Sequence, residues 1–358
     1  MCEIRTIEPR QLTPELIAAW STIQQSLPAF GSPYFRPEFT QQVARVRSDV
    51  RIAVLEQQGQ PVGFFPYQYS GMGVLVPVGG KFSDYHGVIA PPEVEWTASQ
   101  LLAACGASAW RFDHLVAEQQ PFARYHGNVA GSPYLYLADG YEAYEQERKS
   151  SGSKELTKLA RKKRKLDREE GPLRFEYDTR DPQVFETLLA WKRDQYERTG
   201  LTDVFQFPWT TELLQNIWDC REPDFSGLMS ALYLGDRLIA MHFGMRSGPI
   251  MHSWFPAYDR EFYKASPGLI LLTEIAKVAS DQGVTIFDLG KGDAEYKTNL
   301  KSGDFMVAEG EIELRPMARL LRNGYRASRD WIKASPLRGP AQIPWRMIRP
   351  LRDWMAFR

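Results

Sequence analysis

Residues 287–300, FDLGKGDAEYKTNL, place acidic, phenolic and basic side chains around two glycines. Acyl transfer requires a base for the nucleophile, hydrogen-bond donors for the oxyanion and an acid for the leaving group. Asp288 or Asp293 could supply the base, Tyr296 the acid, and Lys297 a contact to phosphate or carboxylate. The same residues could also form an ordinary turn, in which Asp293 caps a short helix and Tyr296 and Lys297 lie on its surface.

A second candidate site lies in YKASPGLILL, where a predicted helix begins at Pro267. Ser266 suits the N-cap and Gly268 allows a ligand to approach the backbone closely. Free amide groups and the helix dipole make such a helix start suitable for a pyrophosphate. Lys264 and Leu269 flank this turn and are assigned to the same cofactor site, although most Ser-Pro helix starts are only caps.

Two further candidates lie on predicted strands or just after them. His242, in LIAMHFGMR, would flank a thioester as a base, although a strand histidine is more often a hydrogen-bonded core residue. SDYHG offers Asp84 and Tyr85 at a strand exit, where they could complete an acceptor pocket or form an ordinary turn.

Two predicted helices between residues 141 and 198 carry candidate substrate contacts. The stretch 147–171 is rich in Lys and Arg, so Arg161 and its neighbours could clamp phosphates or simply form a solvated face. In LLAWKRDQYERTG, Lys192 and Tyr196 could line a sugar pocket or belong to an amphipathic helix. Neither SGSK nor GKGD has the spacing of a P-loop.

The elements that carry these residues repeat along the chain. Predicted strands at 51–56, 60–69 and 73–78, a helix at 96–106 and a strand at 109–115 form one series. Strands at 227–234, 237–245 and 249–258, a helix at 267–282 and a strand at 284–289 form a second. This order predicts an α/β fold with mixed sheets in two similar lobes.

Composition narrows the class of protein. The chain has 358 residues with 43% hydrophobic side chains, which is ample for a folded core. Its three cysteines are scattered, so we expect neither a disulfide framework nor a metal site. The first residues carry no apolar segment typical of a signal peptide, which predicts a cytoplasmic protein.

The C-terminal tail carries a strong charge. Net charge is zero overall, but residues 315–358 hold eleven Lys or Arg against two Asp. Short predicted helices at about 317–334 and 345–357 mix tryptophans with arginines, which suits attachment to anionic lipid. The same tail could instead pack against the rest of the chain, which is acidic, or against a partner.

SPG at 266–268 and FDLGKGDAEYK at 287–297 resemble the CelD/BcsL-like acetyltransferases of cellulose and exopolysaccharide synthesis, which are GNAT-superfamily proteins related to the FemABX transferases. The resemblance spans about residues 20–315 and implies tandem GNAT-like lobes with splayed sheets. It implies lobes at 1–140 and 201–314, linking helices at 141–200 and a separate tail at 315–358. The spaced glycines of the usual GNAT pyrophosphate loop are absent apart from Gly268.

The resemblance further implies acetyl-CoA as acyl donor, held between the strands 249–258 and 284–289, and a sugar precursor or lipid-linked glycan as acceptor. It implies a cytoplasmic enzyme that can associate with the inner membrane and with a polysaccharide-synthase complex. Nucleic acid is not expected, because no aromatic residues interleave the basic run. Two other functions stay open: an aminoacyl-tRNA-dependent transferase like the Fem proteins, and a non-catalytic subunit of a glycan synthase.

Overall fold

A computed structural model describes residues 2–317 and Phe357. The strands are β1 (Glu3–Ile7), β2 (Val50–Gln57), β3 (Gln60–Tyr69), β4 (Val74–Val76), β5 (Ala109–Val116), β6 (His126–Tyr136), β7 (Leu173–Glu176), β8 (Arg221–Glu222), β9 (Phe225–Leu234), β10 (Arg237–Ser247), β11 (Ile250–Tyr258), β12 (Ile286–Asp288) and β13 (Gly303–Glu313). The helices are α1 (Pro14–Ser26), α2 (Pro37–Val46), α3 (Ala98–Ala104), α4 (Tyr141–Ser150), α5 (Glu155–Glu169), α6 (Pro182–Thr199), α7 (Pro208–Asp219), α8 (Pro267–Asp281) and α9 (Glu295–Leu300).

All these strands form one mixed sheet. Its order is β1-β2-β3-β4-β5-β13-β6-β12-β11-β10-β9-β7, with β8 paired to β9 at the edge. The two series predicted from the sequence are present as β2-β3-β4-α3-β5 and β9-β10-β11-α8-β12. In each series the third strand pairs in parallel with the strand that follows the helix, as a crossover through a helix requires. The predicted α/β class with two similar halves is confirmed.

The strand that follows each series pairs with strands of the other half. β6 follows β5 in the chain but pairs with β12, and β13 follows β12 but lies between β5 and β6. The two halves therefore share their central strands, and residues at the junction come from both. The predicted boundaries at 140 and 201 stay a prediction.

Helices cover both faces of the sheet. Along β9, Met229 and Ala231 face a core with α1, α2, α6 and α7, whereas Leu228 and Leu232 face a core with α4, α5 and α8. This alternation is the period of a strand buried on both sides. A third core lies under α3 in the N-terminal half. The helices α5 and α6 thus lie on opposite faces of the C-terminal half.

The helix that the sequence predicted over 141–169 is divided in the structure. α4 ends at Ser150 and α5 begins at Glu155, because Gly152 adopts a positive φ of 86° that helical residues do not use. The sequence prediction also omitted β1, β6, β7, β13 and α7. The predicted tail helices fall outside the described residues, except that Phe357 is buried and its carbonyl accepts a hydrogen bond from Trp209 Nε1.

The strands β11 and β12 pair over only three residues, from Ile250–Ile286 to His252–Asp288. β12 then ends, whereas β11 continues to Tyr258 with only β10 beside it among the residues that the structure describes. This leaves the backbone of 253–258 open on one edge, next to the start of α8. No helix in the described ranges is long and apolar enough to cross a membrane.

Candidate functional site

A histidine held between two carboxylates lies where β11 and β12 separate. His252 Nδ1 lies 2.8 Å from Asp288 Oδ2, and its Nε2 lies 3.1 Å from Asp84 Oδ2. The His252 side chain is fully buried, and 27% of the Asp84 side chain is exposed. Because Asp84 comes from the N-terminal half and the other two from the C-terminal half, the cluster joins both halves.

Burial alone would lower the pKa of His252, but the carboxylates of Asp288 and Asp84 outweigh it and raise this pKa to about 9. The imidazole is therefore protonated at neutral pH and donates to both carboxylates. In turn, the hydrogen bond and charge of His252 lower the pKa of Asp84, although burial acts in the opposite direction. The cluster thus carries two negative charges and one positive charge.

Asp288 is fixed from three sides. Ser132 Oγ on β6 donates to Asp288 Oδ1 at 3.0 Å, and the backbone N–H of Gly290 donates to the same oxygen at 2.9 Å. With His252 on its other oxygen, this buried carboxylate is fully hydrogen-bonded. Asp288 therefore orients His252 and has little surface to offer a substrate.

The loop after β12 closes over the cluster. Gly290 has a positive φ of 74°, and its open side faces His252 and Asp84. Lys297, on α9, donates from Nζ to the carbonyls of Gly290 at 2.9 Å and Lys291 at 3.3 Å, and burial lowers its pKa. The lysine predicted as a phosphate contact therefore fastens the glycine loop in this state.

The other predicted residues of this loop take different positions. Asp293 is exposed, and it does not cap α9, whose N-cap is Ala294. Tyr296 is half-buried against the core of α5 and α8, and burial raises the pKa of its phenol. The turn alternative considered from the sequence is therefore wrong about the cap and about a surface position for Tyr296.

His242 lies beside the cluster rather than in it. Its Nε2 lies 2.9 Å from Ser253 Oγ, and its ring packs against Phe287. Burial, with the neighbouring charge of His252, lowers the pKa of His242 to about 3, so this ring is neutral. Tyr85 is buried, with its ring near His252.

A second set of polar residues continues from Asp84 into the N-terminal half. His114 Nε2 lies 3.8 Å from Asp84 Oδ1, and Asp113 Oδ1 accepts from His114 Nδ1 at 3.1 Å and from His86 Nε2 at 2.8 Å. A bulge in β5 sets Asp113 and His114 opposite one residue of β13, Glu309. The atoms of His86, Asp113 and His114 lie within 4.8 Å, a spacing that a metal ion could also use.

A basic cavity of about 720 Å³ lies on the α5–α8 face. Its walls carry Arg161, Arg164, Lys165 and Lys264. We call this cavity the α5 groove. The basic helix predicted from the sequence therefore lies beside the turn that was predicted to hold a pyrophosphate.

The start of α8 contacts this groove directly. Ser266 occupies the N-cap position with a left-handed φ of 57°, but its side chain makes no capping hydrogen bond. Instead Ser266 Oγ accepts from Lys162 Nζ at 2.8 Å. Gly268 is the second residue of the helix, and a Cβ there would meet only the Tyr258 ring at an ordinary 3.5 Å. Leu269 is half-buried against the core beneath.

A second cavity, of about 640 Å³, lies on the opposite face between α6 and the end of β11. We call it the α6 cavity. Trp191 and Lys192 form one wall, and Tyr258 forms part of the other. Tyr196 does not reach the cavity surface but lies behind Lys192, whose Nζ is 5.3 Å from the centre of its ring.

Sequence reasoning missed the central residue of the cluster. It selected His242 because its strand would flank a thioester, and no local pattern singled out His252, which also lies on an apolar strand. Ser132, Asp113 and His114 were not selected either, and the partner of Ser132, Asp288, lies far away in the chain. The available signal was the alternation of side chains along β11 and β12. Once these two strands are paired, His252 and Asp288 lie side by side on the same face of the sheet.

Comparison with known proteins agrees with this architecture. Residues 153–298 match the family model described as Acetyltransferase (GNAT) domain. No curated protein matches the chain significantly. This part of the chain, which includes α5, α8, His252 and Asp288, therefore resembles a GNAT acetyltransferase domain, whereas Asp84 and Ser132 lie outside the matched residues.

Solved structures resemble the chain over most of its length. FemX superposes with a TM-score of 0.52 at 11% identity, covering 89% of this chain and 99% of FemX. The C-terminal domain of a protein described as a lysylphosphatidylglycerol synthetase, from Agrobacterium fabrum, gives 0.51 at 11% identity over 82% and 91% of the two chains. A tandem GNAT protein of the clavulanic acid biosynthesis pathway gives 0.50 at 8% identity over 88% and 99%. The chain thus has the tandem GNAT-like fold.

Proposed function

We propose that the protein is an acyl-CoA-dependent acetyltransferase that acylates an amine or hydroxyl group of a sugar precursor or lipid-linked glycan. The observation that carries the proposal is the position of the His252 cluster, at the point where β11 loses its pairing with β12. A thioester arm lying along the open edge of 253–258 would bring its carbonyl to this cluster, with its phosphates at the start of α8.

Asp84 is the proposed proton acceptor, because it alone of the three residues offers exposed surface. The attacking nitrogen or oxygen bonds to the thioester carbon and gives its proton to Asp84, and the carbon–sulfur bond breaks. His252 stabilises the Asp84 carboxylate, and Asp288 orients His252. Tyr296 on α9 is the proposed acid for the departing sulfur, because its phenol is protonated at neutral pH; burial raises its pKa, which makes it a weaker acid than an exposed tyrosine.

The α5 groove supports a phosphate-bearing donor. Exposed Arg161, Arg164 and Lys264 surround it, and Lys162 lies against Ser266 at the helix start. Coenzyme A carries its phosphates at the end remote from the thioester, so this arrangement suits it. Acetyl as the acyl group, and the glycan as acceptor, rest on the sequence resemblance to the CelD/BcsL-like family.

An aminoacyl-tRNA donor is a second candidate, and the specific observation in its favour is the length of the basic face. Arg161, Arg164, Lys165 and Arg168 along α5 all line the groove. Glu169 pairs with Lys165 and Arg168, and Glu170 and Glu261 also line the groove, so its excess positive charge lies toward Arg161 and Arg164. FemX and the lysylphosphatidylglycerol synthetase domain also have this fold.

Calorimetric titration with acetyl-CoA and free coenzyme A tests the donor. We expect Gly268→Asp to weaken binding at least about tenfold, because it sets a carboxylate where the phosphates would lie. Gly268→Ala is the matched control and should bind normally, since the added methyl meets no close neighbour. Absence of binding to the wild type would refute the coenzyme donor, and salt-sensitive tRNA binding would then favour the second candidate.

A further inference from the structure

The α6 cavity contains a buried lysine without a counter-ion. Lys192 is only 8% exposed, and within residues 2–317 no carboxylate lies within 4.0 Å of its Nζ. Its contacts are Gln195 Oε1 at 2.9 Å and the rings of Tyr196 and Phe255, whose centres lie 5.3 and 5.9 Å away. Burying an unpaired ammonium is costly, and aromatic faces offset only part of that cost.

The other charges of the cavity leave an excess of positive charge. Asp194 pairs with Arg198 at 3.6 Å, and Asp259 pairs with Arg237 at 2.6 Å. Arg260 is exposed on the rim and has no ion pair with any described residue. Neither acid is therefore free to compensate Lys192.

The walls of the cavity also suit a ring. Trp191 and Tyr258 both line it, and Tyr258 is 48% exposed. Amphipathic aromatic side chains pack on the apolar face of a sugar while leaving its hydroxyl groups in water. A volume of about 640 Å³ lies within the range of small-molecule sites.

The position of the cavity complements the α5 groove. The two lie on opposite faces of the sheet, and both border the stretch 256–265, which comprises the end of β11 and the loop that leads toward α8. A donor that enters from the α5 face would therefore leave the α6 face for an acceptor.

We propose that the α6 cavity is the subsite for an acidic sugar, whose carboxylate or phosphate supplies the missing counter-ion of Lys192 and whose ring packs between Trp191 and Tyr258. This inference rests on the proposed function for its role as an acceptor site, but the binding itself does not depend on acyl transfer. Arg260 on the rim adds attraction for the same anion.

Calorimetric titration of the full chain at pH 7 with D-glucuronate, glucose 1-phosphate and glucose tests the inference. We expect at least one of the two acidic sugars to bind, glucose to bind at least about tenfold more weakly, and Lys192→Met to lose about 10- to 100-fold in affinity for the acidic sugar, as expected for one charged hydrogen bond. Glucuronate and glucose 1-phosphate distinguish a carboxylate from a phosphate as the anion.

Lys264→Met, in the α5 groove, is the matched control and should bind the acidic sugar normally. The inference is overturned if neither acidic sugar binds the wild type, if glucose binds equally well, or if Lys192→Met keeps full affinity. Loss in Lys264→Met alone would place the sugar in the α5 groove and also overturn it. A parallel titration with acetyl-CoA separates the two proposals, because loss of coenzyme binding refutes the donor and leaves the sugar result intact.

Discussion

Replacement of Lys192 by methionine should stabilise the ligand-free protein at neutral pH. Burial lowers the pKa of Lys192 to about 8, against 10.5 for an unperturbed lysine. Each tenfold change in proton affinity corresponds to about 1.4 kcal/mol, so folding disfavours the charged side chain by about 3 kcal/mol. Methionine fills a similar space without charge but loses the contacts to Tyr196 and Phe255, worth about 1–2 kcal/mol. We therefore expect a net gain of about 1–2 kcal/mol at pH 7.

The pH dependence of this gain identifies its cause. Between pH 8 and 10.5 the unfolded chain binds the proton that folded Lys192 has released, so the wild type gains stability as pH rises through this window. The advantage of Lys192→Met should therefore shrink as the pH approaches 10.5. Urea unfolding of both proteins at pH 7, 9 and about 10.5 measures this difference.

A suitable control is Lys158→Met, because the Lys158 side chain is 58% exposed. It should change stability by less than about 0.5 kcal/mol at any of these pH values. A destabilised Lys192→Met, or an advantage that does not vary with pH, would refute the reasoning that the buried ammonium lacks a counter-ion.

Two further changes test the cluster and the sheet junction. Asp288→Asn should lower the pKa of His252 from about 9, because burial would then outweigh the single remaining carboxylate; NMR titration of the histidine ring measures it, and an unchanged pKa would contradict the assigned partner. In the wild type, the stability that protonated His252 gains from Asp288 is complete below pH 6.5 and should be lost as the pH rises through 9. The stability of the variant should not fall in this way over the same pH range. Gly310→Ala on β13 should destabilise the protein by more than about 1 kcal/mol, since its Cβ would overlap the Tyr125 carbonyl. Equal thermal melting of Gly310→Ala and wild type would contradict that packing.

The sequence predicted two hairpins and the start of α8. Alternating apolar residues and the turns at 57–60 and 234–237 identified the hairpins β2–β3 and β9–β10, and Pro267 marked the start of α8. The sequence could not reveal that β6 pairs with β13 and β12. Those pairings join residues at least 150 positions apart, and no local periodicity encodes them.

The same limit applies to the candidate site. Asp288 was selected because it lies at the end of a predicted strand, and Asp84 because it lies at a strand exit, patterns that are visible in the sequence. His252 was passed over because its function depends on the partners that strand pairing brings to it. Lys192 was selected as a possible sugar contact, but its missing counter-ion is a property of the folded chain alone.

Each half of the chain contributes one histidine–aspartate pair to the polar cluster, and this correspondence becomes visible only when the strand pairing is known. Phe112-Asp113 on β5 corresponds to Phe287-Asp288 on β12, and each aspartate binds a histidine from the preceding parallel segment, His86 or His252. The two pairs meet through Asp84 and His114, because β6 and β13 have changed places at the junction. A site assembled in this way needs both halves. Residues 153–298 carry His252 and Asp288 but lack Asp84, Ser132 and both exchanged strands, so the matched GNAT domain alone would leave His252 with one carboxylate and an open sheet edge.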